Sequence, residues 1–545
     1  MASPGKIDAS QLTGGRRLPQ IPKELEGHVL VNQQHRRIIV AEAKRNEPMV
    51  LSFLAQARML SRNAGDPPPH VVYGEYEELE QERRSAAHVV EIDSAMQNRA
   101  RNLFREAARA GVSDIHIKVV NEHTEVLCRL HGLLQPWGKY RMSDMEGRAL
   151  CRTIYASMAD PGAADTTMIE GRSQDARISR PEMLGTEKLH GIRIATTPTD
   201  RGMLMVCRLL YQSVSVDLGS LGYEKHQIEI LGSLMELPEG INIVSGVTNS
   251  GKSTALTQAL REMSETRPGQ HILTVEDPPE ANMTKFANQV PVTNAGDGGA
   301  RMKAFARTVR AAMRLDPNIV MVGEIRDFAT AKAALDFAAT GHLVWTTLHA
   351  NGVFQTLVRL LEMRDEESGQ TLNPKTILDS TMLTGIMSQR LVATLCPNCS
   401  IPYGEAELQK LRPKTRRRLE ALLERTGADA SKVRFRGPGC DHEKCNRGIA
   451  GRTVIAEIAR LTQELFDIFE NEGTAAARSY WLDRQGFSQK AHAAAKVLRG
   501  QIDIINAEER AGPLEGELLR NVEMVLPRRE AAPVEHGKSR QMETV

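Results

Sequence analysis

Residues 246–254 read Gly-Val-Thr-Asn-Ser-Gly-Lys-Ser-Thr, a glycine-framed turn that delivers one ammonium and four hydroxyls into a single loop. Gly246, Gly251, Lys252 and Ser253 satisfy the pattern G-x-x-x-x-G-K-[ST]. In that pattern the backbone N–H groups curl around phosphates, the lysine offers a point charge to the β and γ oxygens, and the hydroxyl faces Mg²⁺. Thr248, Asn249, Ser250 and Thr254 complete the candidate cradle. The alternative is an ordinary Gly-rich turn. It does not account for the apolar strand "INIVS" before the loop and the helix "STALTQALREM" after it, the two elements that a phosphate cradle requires. ATP with Mg²⁺ is the expected ligand.

A triphosphate cradle does chemistry only with an acidic group to orient water and further ligands for the metal. Two apolar segments end in carboxylates: "HILTVEDPPE" carries Glu276 and Asp277, and "NIVMVGEIRD" carries Glu324. Strand ends on one edge of a parallel sheet are where ligands bind. Glu324 is therefore assigned to water positioning and Glu276 to the metal shell or to a second acid. Each carboxylate could instead cap a strand end or the next helix. "TGHLVWTTLHAN" adds Thr340, His342 and His349. A straight strand spans about 23 Å over seven residues, so both histidines cannot touch one phosphate. His349, at the carboxyl end, is the γ-phosphate candidate, and His342 reads as structural.

Of seven cysteines, Cys128, Cys151 and Cys207 are scattered, whereas Cys396 and Cys399 form "CPNC" and Cys440 and Cys445 close "CDHEKC". Two close pairs suit a tetrahedral Zn²⁺ site, with His442 as a possible substitute for one thiolate. The bland alternative is four reduced cysteines. No catalytic acid stands beside them, so the zinc is expected to be structural.

These residues need elements to place them. Short apolar strands ("INIVSG", "HILTVED", "NIVMVGE", "HLVWTTLH") alternate with helical stretches over 222–390, the signature of a parallel α/β sheet with crossover helices. Before it, residues 88–212 open with the helix "AMQNRARNLFREAARAG", with Gly111 as its C-cap, and continue with the strands "DIHIKVV", "TEVLCRLHG", "KLHGIRIATTP" and "GMLMVCRLLY". Residues 213–221 form a polar hinge linker. Residues 21–87 read as a small α/β unit that breaks at "GDPPPH". The cysteine segment spans 391–460, a helical segment 461–525, and 1–20 and 526–545 are expected to be disordered. Aromatics at 4% and a net charge of +2 argue against a base-stacking or strongly basic nucleic-acid binder. No apolar run approaches the roughly 18 to 20 residues that span a bilayer, and the first residues carry no signal-like apolar region, so a cytoplasmic protein is expected.

Taken in order, "GVTNSGKST", "LTVEDPPE", "MRLDPNIVMVGEIRD", "TGHLVWTTLHAN" and "QRLVATLCPNC" resemble the hexameric secretion ATPases of type II secretion and type IV pilus assembly. The resemblance covers about 100–510. It implies a RecA-like P-loop core, a PAS-like second N-terminal domain and a small zinc-binding subdomain. Glu324 would be the catalytic glutamate, and Arg193 and Arg208 would be arginines that reach the nucleotide from the PAS-like domain. In that family the second cysteine pair is usually C-x₂-C, wider here. The tetracysteine insertion is a feature of assembly and secretion ATPases, and retraction ATPases lack it. The resemblance further implies a homo-hexamer that drives an inner-membrane platform protein, peripheral at the inner membrane of a bacterium, with the first 90 residues docking to a partner. Two other readings remain open: a conjugative or type IV secretion motor, and a scaffold that senses nucleotide without hydrolysing it.

Overall fold

The apolar segments that end in candidate site residues are strands of one sheet. The structure, a computed structural model, describes residues 18–526 apart from 20, 26–27, 33–36, 64–65, 75–94, 139, 161–166, 213–216, 278, 293–298 and 366–367. The expected disorder of 1–17, 20 and 527–545 and the middle of the expected hinge therefore fall outside the described residues.

The chain opens with a three-stranded sheet, β1 (Val29–Asn32), β2 (Arg37–Ala41) and β3 (His70–Gly74). β2 and β3 are parallel, joined through the helix Pro48–Asn63, whose Val50, Phe53, Leu54 and Ala57 pack on the sheet. A parallel pair requires such a crossover.

The second unit begins with a helix at 95–110 that stops at Gly111, where φ is +76°. Its six strands are β4 (Asp114–Val120), β5 (Thr124–Leu130), β6 (Leu133–Pro136), β7 (Gln174–Ile178), β8 (Leu189–Thr199) and β9 (Gly202–Tyr211). They form an antiparallel sheet in the order β6-β5-β4-β9-β8-β7. The first long strand thus lies beside the last.

The third unit is a seven-stranded sheet ordered β12-β11-β13-β14-β10-β15-β18. Its strands are β10 (Gly240–Ser245), β11 (Ile272–Glu276), β12 (Asn288–Pro291), β13 (Ile319–Ile325), β14 (Leu343–Leu348), β15 (Leu383–Leu395) and β18 (Ile449–Arg460). β10 to β15 run parallel and β18 antiparallel. β10 and β14 are buried along their whole length, as helices on both faces of a parallel sheet require. The strand order reverses beside β10, which makes its carboxyl end a switch point for ligand binding.

One boundary is corrected. The expected end of the core at 390 falls inside β15, which stays paired with β18 from Gly385↔Arg460 to Leu395↔Ile449. The cysteine segment is an excursion between these strands, with the two-residue strands β16 (Ile401–Pro402) and β17 (Arg434–Phe435). It also shares a core with the C-terminal helices: Leu408, Leu419, Leu422 and Val433 pack with Ala491, Ala495, Leu498 and Ile504. The excursion is too small to bury its own apolar residues and borrows the helix Gln489–Leu498.

That helix carries His492 with no exposed surface. Its Nδ1 accepts from the Ala456 backbone N–H at 3.0 Å, and its Nε2 stands 3.4 Å from Glu224 Oε1. Burial pushes the imidazole down to about 4. The stability carried by the neutral ring is complete above pH 6.5 and is lost as pH falls towards 4, at about 1.4 kcal/mol per pH unit. His492→Asn keeps an acceptor for Ala456 and removes the titration. Thermal melts between pH 7 and 4 should fall less steeply for the variant than for the native chain, and parallel curves would refute the assignment.

No helix among the described residues is long and apolar enough to cross a membrane.

Candidate active site

The turn after β10 is shaped by contacts that leave no room for side chains. Gly246 has φ +149°, and a Cβ there would lie 2.4 Å from the Gln389 carbonyl oxygen. Gly251, at φ +85°, is the N-cap of the helix Lys252–Thr266. No acidic side chain sits in that helix's first turn, so its exposed N–H groups and positive dipole end are left for an anion. The Ser250 hydroxyl is buried without a protein partner. Lys252 Nζ lies back across the loop, donating to the carbonyls of Gly246 (2.9 Å) and Val247 (3.2 Å). Burial lowers its pKa, against the pull of Glu324 and Glu280. The cradle therefore fits a phosphate chain, which would replace these carbonyls as the lysine's partner.

Glu324 is aimed by a bulge. β13 pairs with β14 as Val322↔Thr346 and next as Ile325↔Leu348, leaving one extra residue on β13. Such a bulge re-aims a side chain, and here it turns Glu324 out of the sheet. Glu324 Oε1 accepts from His349 Nε2 at 2.9 Å and Oε2 from Arg326 Nε at 2.7 Å. Thr347 Oγ1 donates to the Gly323 carbonyl at 2.8 Å, fixing the two strand ends together. The pKa of His349 is lowered, first by burial and then by Lys252, against Glu324. The lowered pKa favours the uncharged ring, and the contact with the Glu324 carboxylate favours its proton on Nε2. Glu324 and His349, twenty-five positions apart in the numbering, thus meet as one pair. His342 sits at the other end of β14, its Nδ1 3.1 Å from the Phe337 carbonyl and its ring edge-on to Phe337, a structural place.

Glu276 takes a different place from the one expected. Its carboxylate is buried at the strand end, accepting from Thr274 Oγ1 (2.7 Å) and Gln289 Nε2 (2.9 Å). Burial raises its pKa, and these bonds with the Glu280 backbone N–H oppose the rise. The acid that meets the cradle is Glu280, whose Oε2 accepts from Ser253 Oγ at 2.9 Å. Sequence reasoning passed over Glu280 because it lies in a loop beyond two prolines; the signal was the second glutamate of "EDPPE". Glu276 anchors that loop.

Arg193 and Arg208 lie on adjacent strands in direct register, flanked by Arg177 on one side and by Asp114 and Arg129 on the other. Directly paired residues share a sheet face, so four guanidiniums and one carboxylate form a row. Asp114 holds Arg208 Nε at 3.0 Å and Arg129 Nε at 3.6 Å. Neither Arg193 nor Arg208 is bonded to the phosphate loop within this chain. The second unit does touch the site's rim: His190 Nε2 lies 2.8 Å from the Glu280 carbonyl.

The four cysteines converge. Sγ of Cys396 is 3.8 Å from that of Cys440, Cys399 is equally far from Cys445, and all four sulfurs lie within 4.8 Å of one another. Zinc–sulfur bonds of about 2.3 Å in a tetrahedron place sulfurs roughly 3.8 Å apart, so the cluster could bind zinc. The approach needs Gly437, where a Cβ would lie 1.7 Å from the Cys399 carbonyl. His442 is not among the converging groups; its Nδ1 accepts from the Lys444 N–H at 3.3 Å.

Comparison with known proteins follows the same outline. A family profile described as "Type II/IV secretion system protein" matches residues 91–510. The type II secretion system ATPase E of Vibrio cholerae is 34% identical over 372 residues, 68% of this chain and 66% of that protein. The type IV pilus assembly ATPase PilB of Thermus thermophilus is 30% identical over 470 residues, 83% of this chain and 48% of that protein. The chain thus spans slightly under two thirds of the first relative and about half of the second. The crystal structure of the Legionella pneumophila ATPase DotB superimposes with a TM-score of 0.51 at 23% identity, covering 74% of this chain and 93% of that one, a likeness of fold.

Proposed function

Because the chain belongs to the type II/IV secretion system protein family, matched over residues 91–510, we propose that it is a Mg²⁺-dependent ATPase that powers type II secretion or type IV pilus assembly. The observation that carries the reading is the meeting, at the carboxyl edge of one sheet, of Lys252, the Ser253–Glu280 pair and the Glu324–His349 pair. In this reading Lys252 leaves the Gly246 and Val247 carbonyls for the β and γ oxygens of ATP. Glu324 exchanges His349 for the attacking water and aligns it with the γ-phosphorus, while His349 turns its N–H to the γ-phosphate. Ser253 would hold Mg²⁺, with Glu280 close enough to order its shell. The metal supplies neutralisation of charge shared between the β and γ oxygens. Zinc is assigned to the cysteine cluster as a structural ion.

Arg193 and Arg208 have no bond to the loop in their own chain, which supports a site completed across a subunit border, as in a homo-hexameric ring. Guanidinium forks from the neighbouring subunit would then meet the γ-phosphate as arginine fingers do. The ring would stand at the cytoplasmic face of a bacterial inner membrane, held there by partners, with the hinge at 213–221 converting nucleotide closure into motion of a platform protein. The cysteine cluster favours assembly or secretion over a conjugative motor, and the Lys252, Ser253 and Glu324 set weighs against a silent scaffold.

The test is ATP turnover across a protein concentration series, run beside mass measurement of the assembly. Specific activity that rises as hexamers form supports a ring motor. Turnover independent of assembly removes the shared-site reading, and binding without turnover at any concentration removes the ATPase.

A further inference from the structure

The back of the phosphate loop is held by a buried glutamine. Gln389 lies on β15 one residue beyond Ser388, which pairs with Ser245 at the end of β10, and it has no exposed surface. Its Nε2 donates to the Ser250 carbonyl at 2.9 Å, and its Oε1 accepts from the hydroxyl of Tyr223, itself buried. The order of donors is fixed. A carbonyl can only accept, so the amide NH₂ faces Ser250, the amide oxygen faces Tyr223, and the phenol must donate. The C=O and N–H of one trans peptide point opposite ways. Holding the Ser250 carbonyl outward towards Gln389 therefore turns the Gly251 N–H inward to the cradle.

Tyr223 is the first residue after Gly222, which closes the short helix Leu218–Leu221 at the exit of the interdomain linker. Gly222 is itself pinned, its carbonyl accepting from Lys496 Nζ at 2.8 Å. We propose that Tyr223 and Gln389 are positioning residues that orient the Ser250–Gly251 peptide for nucleotide, and that Tyr223 makes the linker exit sense the state of the phosphate loop. The inference rests on the ATPase reading and assigns to that site a direct connection to the joint between its domains. When a nucleotide draws Lys252 away from the loop carbonyls, the peptide that Gln389 holds shifts, and the phenol shifts with it.

Tyr223→Phe removes the donor and leaves a buried amide oxygen unpaired. Gln389→Glu still accepts from Tyr223 and can no longer donate to Ser250. A fluorescent ATP analogue, titrated into the full chain, should bind about five- to tenfold more weakly to Tyr223→Phe and at least tenfold more weakly to Gln389→Glu. KM should rise in parallel, with kcat at saturation within about twofold for Tyr223→Phe. Amide hydrogen exchange of residues 218–223 should slow on binding in the native chain and lose that response in Tyr223→Phe. Either variant folded yet binding within twofold of the native chain overturns the proposal. So does a lowered melting temperature with unchanged KM, the mark of a merely structural pair, and so does native exchange at 218–223 indifferent to nucleotide. Lys252→Ala supplies the non-binding reference: a native chain that binds no better than this variant overturns the ATPase reading itself, and the proposal with it.

Discussion

Glu324→Gln will bind ATP and cease to turn it over. The expected drop in kcat is about 10²- to 10⁴-fold, the usual worth of a positioned acid–base group, with the Kd for ATP within about twofold. The variant keeps the shape of the side chain, the bulge at Val322–Ile325 that aims it, and an oxygen that can still accept from His349 or Arg326. What it loses is the charge proposed to position the attacking water. The binding side of the site, Lys252 and the loop N–H groups, follows a different strand, β10, and keeps its own hydrogen bonds. Steady-state turnover and analogue binding measured on one preparation separate the two effects. Retained turnover would move the catalytic acid elsewhere, with Glu280 beside Ser253 first in line.

Cys399→Ser will lose the metal and loosen the excursion between β15 and β18. Zinc content should fall from about one per chain to near zero, because a site of four thiolates holds its ion only when all four converge. The melting midpoint should drop by about 5–10 °C, corresponding to a few kcal/mol in a domain of this size. Protease cuts should appear between residues 396 and 449. Cys128→Ser is the control for zinc content, since that thiol is buried in the second unit's core away from the cluster. A native protein without zinc, or a variant melting like the native chain, would leave the four sulfurs as reduced thiols.

What was legible in the sequence is what lies close together along it. Lys252, Ser253 and their glycines share one turn, and Glu324 and His349 each end an apolar strand, so each could be named from its own neighbourhood. Their pairing at 2.9 Å was inferable only through the parallel order of β13 and β14. Glu280 was missed because its role depends on reaching Ser253 across a gap of 27 positions, from a loop with no strand or helix signal. The end of the core was misplaced for a related reason. β15 and β18 are partners across the whole cysteine excursion, and no local pattern reports a pairing made that far apart. The arginine row had the same character: Arg177, Arg193, Arg208 and Arg129 come from four strands, and only the register aligns them.

The β15–β18 ribbon has a mechanical meaning. β15 is bonded to β10 only as far as Ser388, and from Gln389 to Leu395 it continues with β18 alone, carrying Cys396 past the edge where the phosphates would sit. At about 3.3 Å per residue that extension is roughly 23 Å long. Its root is Gln389, the residue that backs the phosphate loop, and its tip is the cysteine cluster. The pair is a lever arm with its fulcrum behind the loop 246–251. A tilt of about 5° at the root carries the tip through roughly 2 Å over this length, and because the tip shares its core with Ala491, Ala495 and Leu498, the C-terminal helices travel with it.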